Sequence, residues 1–250
     1  DAPLMRALAD AVHDLDQPFR GPFTRIKESV PPTIPAAIKL AKLGRLLPSV
    51  LAAPLSPAKV GDLQNDFDLS VVSLDDILAF EEVAAVQLKR VASAKVPLQA
   101  AENCTFHAFR PKDGGIEHLA IVVGTPGARD PVLTRLHSEC FTGDLIGSLK
   151  CDCGEQLRGA LKAIGEEGGG VLLYLAQEGR GIGLINKLRA YKLQEQGFDT
   201  IDANERLGFD ADERVFQPAA EMLKLLGFRN VRLMTNNPEK VEGLNAMVLP

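Results

Sequence analysis

The sequence predicts an α/β fold: a mixed sheet with flanking helices, preceded by a mainly helical, Pro/Ala-rich N-terminal extension. Three observations lead there. Short apolar runs bounded by Gly, Pro and Asp recur at 119–123, 132–136, 171–175 and 231–234. Stretches with apolar residues at helical spacing, such as Leu157, Leu161 and Ile164, lie among them. Alternation of this kind implies at least some parallel strand pairing. Residues 1 to about 70 have a different texture, punctuated by Pro31, Pro32, Pro35, Pro48, Pro54 and Pro57.

The spacing predicts helices over 36–47 and 74–86, the second capped by Ser73 with Asp76 three residues on, a loose form of the capping box. After the strands at 119–123 and 132–136 comes a helix over 155–166, ended by Gly168 to Gly170, then a buried strand at 171–175. A loop at 177–183 leads into a helix over 184–196 that Gly197 closes. A further helix over 216–226 stops at Gly227, and a strand at 231–234 precedes Thr235 and a short helix after Pro238. The change of texture divides the chain into an extension, 1–86, and a second domain, 87–250.

Composition narrows the function. Hydrophobic residues make up 46% and charged residues 24%, enough for a core without disulfides. A net charge of −5 argues against binding nucleic-acid backbones, although a local cluster of Arg and Lys can still hold a small anion. No apolar run reaches the roughly 18 to 20 residues of a membrane span. No signal peptide opens the chain, so the expected setting is the cytoplasm, with no membrane partner.

Three of the four cysteines, Cys140, Cys151 and Cys153, fall within 14 residues. Thiolates bind zinc tightly, and a Cys-x-Cys pair in extended chain turns both sulfurs to one side. Three protein ligands leave a fourth tetrahedral position for water, the pattern of a catalytic zinc. Three buried free thiols are the plain alternative. Cys104 stands apart and reads as core. Between a strand and a helix lies Glu178-Gly179-Arg180-Gly181-Ile182-Gly183, where backbone N–H groups and the Arg180 fork suit a phosphate. Alone, such a turn is a weak signal. Asp212-Glu213-Arg214 alone reads as a solvated turn.

Taken together, the motifs resemble a known family. Arg135-Leu-His-Ser-Glu-Cys140 followed by Cys151-Asp-Cys-Gly-Glu-Gln156 is similar to the zinc motif of GTP cyclohydrolase II. Gln177-Glu-Gly-Arg-Gly-Ile-Gly183, Lys187-Leu-Arg-Ala-Tyr191, Ala203-Asn-Glu-Arg-Leu-Gly208, Ala211-Asp-Glu-Arg214 and Thr235-Asn-Asn-Pro-Glu-Lys240 are similar to that family in the same order. The likeness runs from roughly Gln87 to Leu244. Ala176 departs from it, since some members carry Arg there.

The resemblance implies one zinc ion per chain on Cys140, Cys151 and Cys153. It implies GTP contacts at Arg135, Leu136, His137, Ser138, Glu139, Gln156, Glu178, Gly179, Arg180, Thr200, Thr235 and Lys240. It makes Asp212 the proton acceptor, Arg214 the proposed nucleophile and Tyr191 an active-site residue near the purine. The implied reaction takes GTP and water to formate, pyrophosphate and 2,5-diamino-6-ribosylamino-4(3H)-pyrimidinone 5′-phosphate, the entry to riboflavin synthesis. It also implies magnesium with the triphosphate and a homodimer. A guanidinium stays protonated, so physics alone assigns Arg214 to an electrostatic clamp on the α-phosphate. Two alternatives are a same-fold paralogue in another nucleotide pathway, such as pyrimidine catabolism, and a non-catalytic regulator with a zinc. Residues 1–86 carry no acidic metal-binding pattern of the dihydroxybutanone phosphate synthase domain that fused relatives have.

Overall fold

One mixed sheet organises the chemistry-bearing part of the chain. The computed structural model describes residues 2–16, 21–22, 24, 27, 29–112, 114–127 and 131–235. The short helix expected after Pro238 lies outside them. The strands are β1 (Leu88–Lys95), β2 (Cys104–Pro111), β3 (His118–Gly124), β4 (Val132–Ser138), β5 (Gly169–Leu175) and β6 (Val231–Leu233), in the order β1-β2-β3-β5-β4-β6. Pairing is antiparallel from β1 through β3 to β5, then parallel from β5 to β4 and from β4 to β6. The helices are α1 (Ala2–Ala9), α2 (Thr33–Leu43), α3 (Pro57–Phe67), α4 (Leu74–Val86), α5 (Cys153–Glu166), α6 (Leu184–Glu195), α7 (Thr200–Arg206) and α8 (Gln217–Leu225).

The chain divides into two compact units, residues 1–80 with 185–213, and residues 81–184 with 214–250. In the second, side-chain alternation sorts the sheet's two faces. Val171, Leu173 and Leu175 of β5 join Val132 and Leu136 of β4 in a core with Ala219, Ala220, Met222 and Leu223 of α8. Leu172 turns the other way, into a core with Ile121 and Val123 of β3, Cys104, and Ala160, Leu161 and Ile164 of α5. Arg135 and His137 pair with Leu172 and Tyr174, so they share the α5 face. Being parallel, β4 and β5 deliver their following loops to one end of the sheet, and Cys140 and Glu178 begin those loops side by side.

In the first unit the extension grips α6 and α7. Arg189 donates to Asp10 at 3.0 Å, Gln196 to the Val12 carbonyl at 3.1 Å, and Arg206 pairs with Asp14 at 3.5 Å. Asn186, fully buried, donates to the Arg45 carbonyl at 3.0 Å.

Helix α4 spans the residues its pattern predicts. Ser73 Oγ accepts from the Asp76 N–H at 3.1 Å and donates to the Asp76 carboxylate at 2.6 Å. Helix α2 begins three residues earlier than expected, because Pro35 is tolerated in a first turn, and it ends before Gly44. Gly169 and Gly170 belong to β5 rather than to the helix stop. A Cβ at Gly170 would sit 2.4 Å from the Leu133 carbonyl, so glycine there lets β4 lie close. The sequence pattern does not mark β1, β2, α1, α3 or α7. No helix of the described residues is long and apolar enough to cross a membrane.

Candidate metal centre

Cys140 leaves the end of β4 and opens one wide, π-type turn, Phe141–Leu145. Cys153 begins α5, and Cys151 stands two residues before it. The three sulfurs lie within 4.8 Å of one another, and none is in a disulfide. Cys140 Sγ is 3.7 Å from Cys151 Sγ. A tetrahedral zinc with bonds of about 2.3 Å sets its sulfurs about 3.8 Å apart, so the spacing fits that ion. Burial, then hydrogen bonding and charge from Cys140, push the Cys153 thiol up. Thiols this close ionise together only around a cation.

Glycine makes the cluster possible. A Cβ on Gly143 would lie 2.7 Å from Cys151 Sγ, 2.9 Å from Cys153 Cβ and 3.1 Å from Cys140 Sγ. A Cβ on Gly154 would lie 2.2 Å from the Gly143 carbonyl oxygen. Both positions therefore let the wide turn seat against the start of α5. The Gly143 N–H also points at Cys140 Sγ, 3.4 Å away, and favours a thiolate.

A buried carboxylate braces the turn. Asp144 accepts from His137 Nε2 at 3.0 Å on both oxygens, from the Cys140 N–H at 3.0 Å and from the Tyr174 hydroxyl at 2.9 Å. His137 and Tyr174 stack with centroids 5.5 Å apart. Burial and the bond to Asp144 push the Tyr174 phenol up, so it stays a donor. Glu178 is also buried; one oxygen accepts from the Phe141 N–H at 2.6 Å, the other from the Gly179 N–H at 2.8 Å. No sequence motif marks Asp144 or Tyr174. An Asp four residues after a cysteine carries no signal until the turn folds it back.

Next to the thiols, Arg135 donates to the Met234 carbonyl at 2.9 Å and to Gln156 Oε1 at 2.7 Å. Gln156 Nε2 in turn donates to Asp152 at 2.6 Å. This chain fixes which end of the exposed Gln156 amide is donor and which acceptor. Burial lowers the Arg135 pKa, opposed by the charges of Asp152 and Cys153, and its buried Nε has no hydrogen-bond partner among the described residues. The 178–181 turn is left-handed at Gly179 (φ 64°), Arg180 (φ 61°) and Gly181 (φ 98°). For Arg180 that conformation costs about 1 to 3 kcal/mol, strain of the kind functional turns hold, and its side chain is exposed.

The structure thus gathers Arg135, His137, Ser138, Glu139, Cys140, Cys151, Cys153, Gln156, Glu178, Gly179 and Arg180 in the second unit. The Leu136 side chain is core, so only its backbone can face a ligand. Thr235 follows β6 and is half-buried. Arg214, in the same unit, lies 5.9 Å from the Phe216 ring centroid. Tyr191, Thr200 and Asp212 belong to the other unit. Tyr191 sits on α6, its ring centroid 5.7 Å from Lys187 Nζ, and Thr200 opens α7. Lys240 lies outside the described residues.

Known proteins resemble this chain closely. It is 56% identical to a GTP cyclohydrolase-2 of Azospirillum brasilense over 240 residues, 95% of this chain and 62% of the relative. It is 46% identical to a riboflavin biosynthesis protein RibBA of Bacillus cereus (strain AH187) over 219 residues, 84% of this chain and 54% of the relative. The chain thus spans somewhat over half the length of these relatives. A solved structure of RibBX, a two-domain 3,4-dihydroxy-2-butanone 4-phosphate synthase from A. baumannii, aligns at TM-score 0.37 and 15% identity, over 86% of this chain and 57% of that one, too weakly to carry an argument. The sequence model of GTP cyclohydrolase II matches residues 89–249, which contain the three cysteines and all the motifs around them, and the chain belongs to that family.

Proposed function

We propose that this chain hydrolyses GTP to formate, pyrophosphate and 2,5-diamino-6-ribosylamino-4(3H)-pyrimidinone 5′-phosphate, the first step of riboflavin biosynthesis. The observation that carries the reading is the set of three sulfurs within 4.8 Å of one another, one pair 3.7 Å apart, beside a glycine with no room for a Cβ. Cys140, Cys151 and Cys153 hold zinc, one per chain. When bound, zinc supplies Lewis acidity and an activated water for opening the imidazole ring. Magnesium accompanies the triphosphate. The enzyme works as a cytoplasmic homodimer.

The remaining roles fall to the chain's own groups. Gln156 reads the guanine edge with the amide faces that Arg135 and Asp152 leave open. Arg180 and Lys240 neutralise phosphate charge, and Thr200 and Thr235 offer hydroxyls to it. Tyr191 borders the purine. Arg214 clamps the α-phosphate and Asp212 accepts a proton beside it. Arg135 through Glu139 border the nucleotide along the end of β4. His137 and Glu178 do so from fixed positions, since their side-chain polar groups already hold the Cys140 turn. The regulator reading predicts loss of these groups, yet every one stands in the sequence. The paralogue reading differs in substrate, and base choice separates the two.

Formate and pyrophosphate release from GTP and from ATP, followed in parallel on metal-loaded protein, tests this. A site built on hydrogen bonds to guanine rejects adenine by roughly 10⁴-fold in favourable cases. Formate from GTP alone is expected. Equal release from ATP would remove Gln156 as the base reader, and no release from GTP would end the reading.

A further inference from the structure

Within the first unit, the extension holds the loop that carries Asp212. Lys42, in the last turn of α2, places Nζ 2.6 Å from Glu213 Oε1 and 3.3 Å from Asp210 Oδ2. The same Glu213 oxygen accepts the Asp210 N–H at 2.7 Å, closing the 210–213 turn on itself. Nζ also lies 5.8 Å from the centroid of the Phe209 ring, which is buried. One residue earlier, Gly208 is left-handed (φ 86°), and a Cβ there would meet Pro48 at 3.4 Å. The Lys42 and Glu213 side chains are about four-fifths buried, at 20% and 19% exposure. Burial pulls the Lys42 ammonium down, but Glu213 and Asp210 outweigh it and the net pKa is raised. An ion pair in such surroundings adds little net stability, while breaking it strands a charge; its effect is on geometry.

We propose that the N-terminal extension is a positioning element for the 208–213 loop that carries Asp212, with Lys42 as its grip on Glu213. Lys42 lies outside the residues the family model matches, 89–249. The alignment with the Azospirillum relative covers 95% of this chain and so reaches into the extension. What the loop does once positioned rests on the proposed function; that Lys42 holds it does not.

Two readouts on the full chain test the grip. The first is hydrogen–deuterium exchange of residues 209–214 in Lys42→Met, which keeps the aliphatic stem and removes the charge. Exchange there is expected to rise, with Lys42→Arg restoring protection. The second is steady-state turnover of GTP. Lys42→Met and Glu213→Gln should each lower kcat by about ten- to a hundredfold through displacement of the loop. KM should stay within about twofold, since the loss falls on the transition state. Metal content should not change. The double variant should lose no more than either single one, because both remove the same interaction. Unchanged exchange in Lys42→Met, or losses that multiply in the double variant, would overturn the proposal. A wild-type chain that releases no formate would sink the functional reading instead, and the exchange data would still decide whether Lys42 holds the loop.

Discussion

Replacing Cys151 by serine is expected to abolish both metal retention and formate release. The three sulfurs lie within 4.8 Å of one another, close enough to share one ion, and a serine hydroxyl stays protonated where a thiolate is needed. Two remaining thiolates hold the ion far more weakly. Gly143→Ala is the companion variant, because it leaves every thiol in place. Its Cβ would lie 2.7 Å from Cys151 Sγ and 3.1 Å from Cys140 Sγ, so the wide turn must open and the cluster spread. Metal analysis of the purified variants, with formate assayed on the same samples, checks both. GTP binding should survive better than ring opening, since the phosphate-directed groups are untouched. Full metal occupancy in Cys151→Ser would remove that residue from the site.

The second large effect belongs to Arg214. Arg214→Ala should keep its metal, because no thiolate or bracing residue is changed. It should lose pyrophosphate release by on the order of 10²–10³-fold, the usual loss when a group neutralising developing charge is removed. Formate is the informative product. If phosphate cleavage must come first, formate falls with pyrophosphate; if ring opening is independent, formate persists alone. Normal pyrophosphate release from the metal-loaded variant would take Arg214 out of the mechanism.

Much of this was legible in the sequence where the pattern is local. Ser73 and Asp76 announce α4, Gly197 and Gly227 announce the ends of α6 and α8, and the cysteine spacing announces a metal. What was hidden depends on tertiary placement. β1 is an edge strand exposed at seven of its eight residues, so it shows no apolar alternation to read. Asp144 becomes a hub only when the wide turn carries it back under His137, Cys140 and Tyr174. Glu178 resembles a ligand-binding position, yet its carboxylate is spent on the Phe141 and Gly179 amides. Lys42 meets Glu213 across 171 residues of sequence, a separation at which no periodicity or motif speaks. The extension therefore looked empty of chemistry until the fold placed it beside the 208–213 loop.

In the proposed function, GTP is opened at the three-cysteine centre. The most direct test strips the purified protein with a chelator, restores zinc in steps, and measures formate from GTP at each step. No formate is expected from the stripped protein, with recovery in proportion to bound zinc that levels at about one ion per chain, the stoichiometry of a single catalytic zinc centre. Formate release that persists in the metal-free protein, or none at full zinc occupancy, would contradict it.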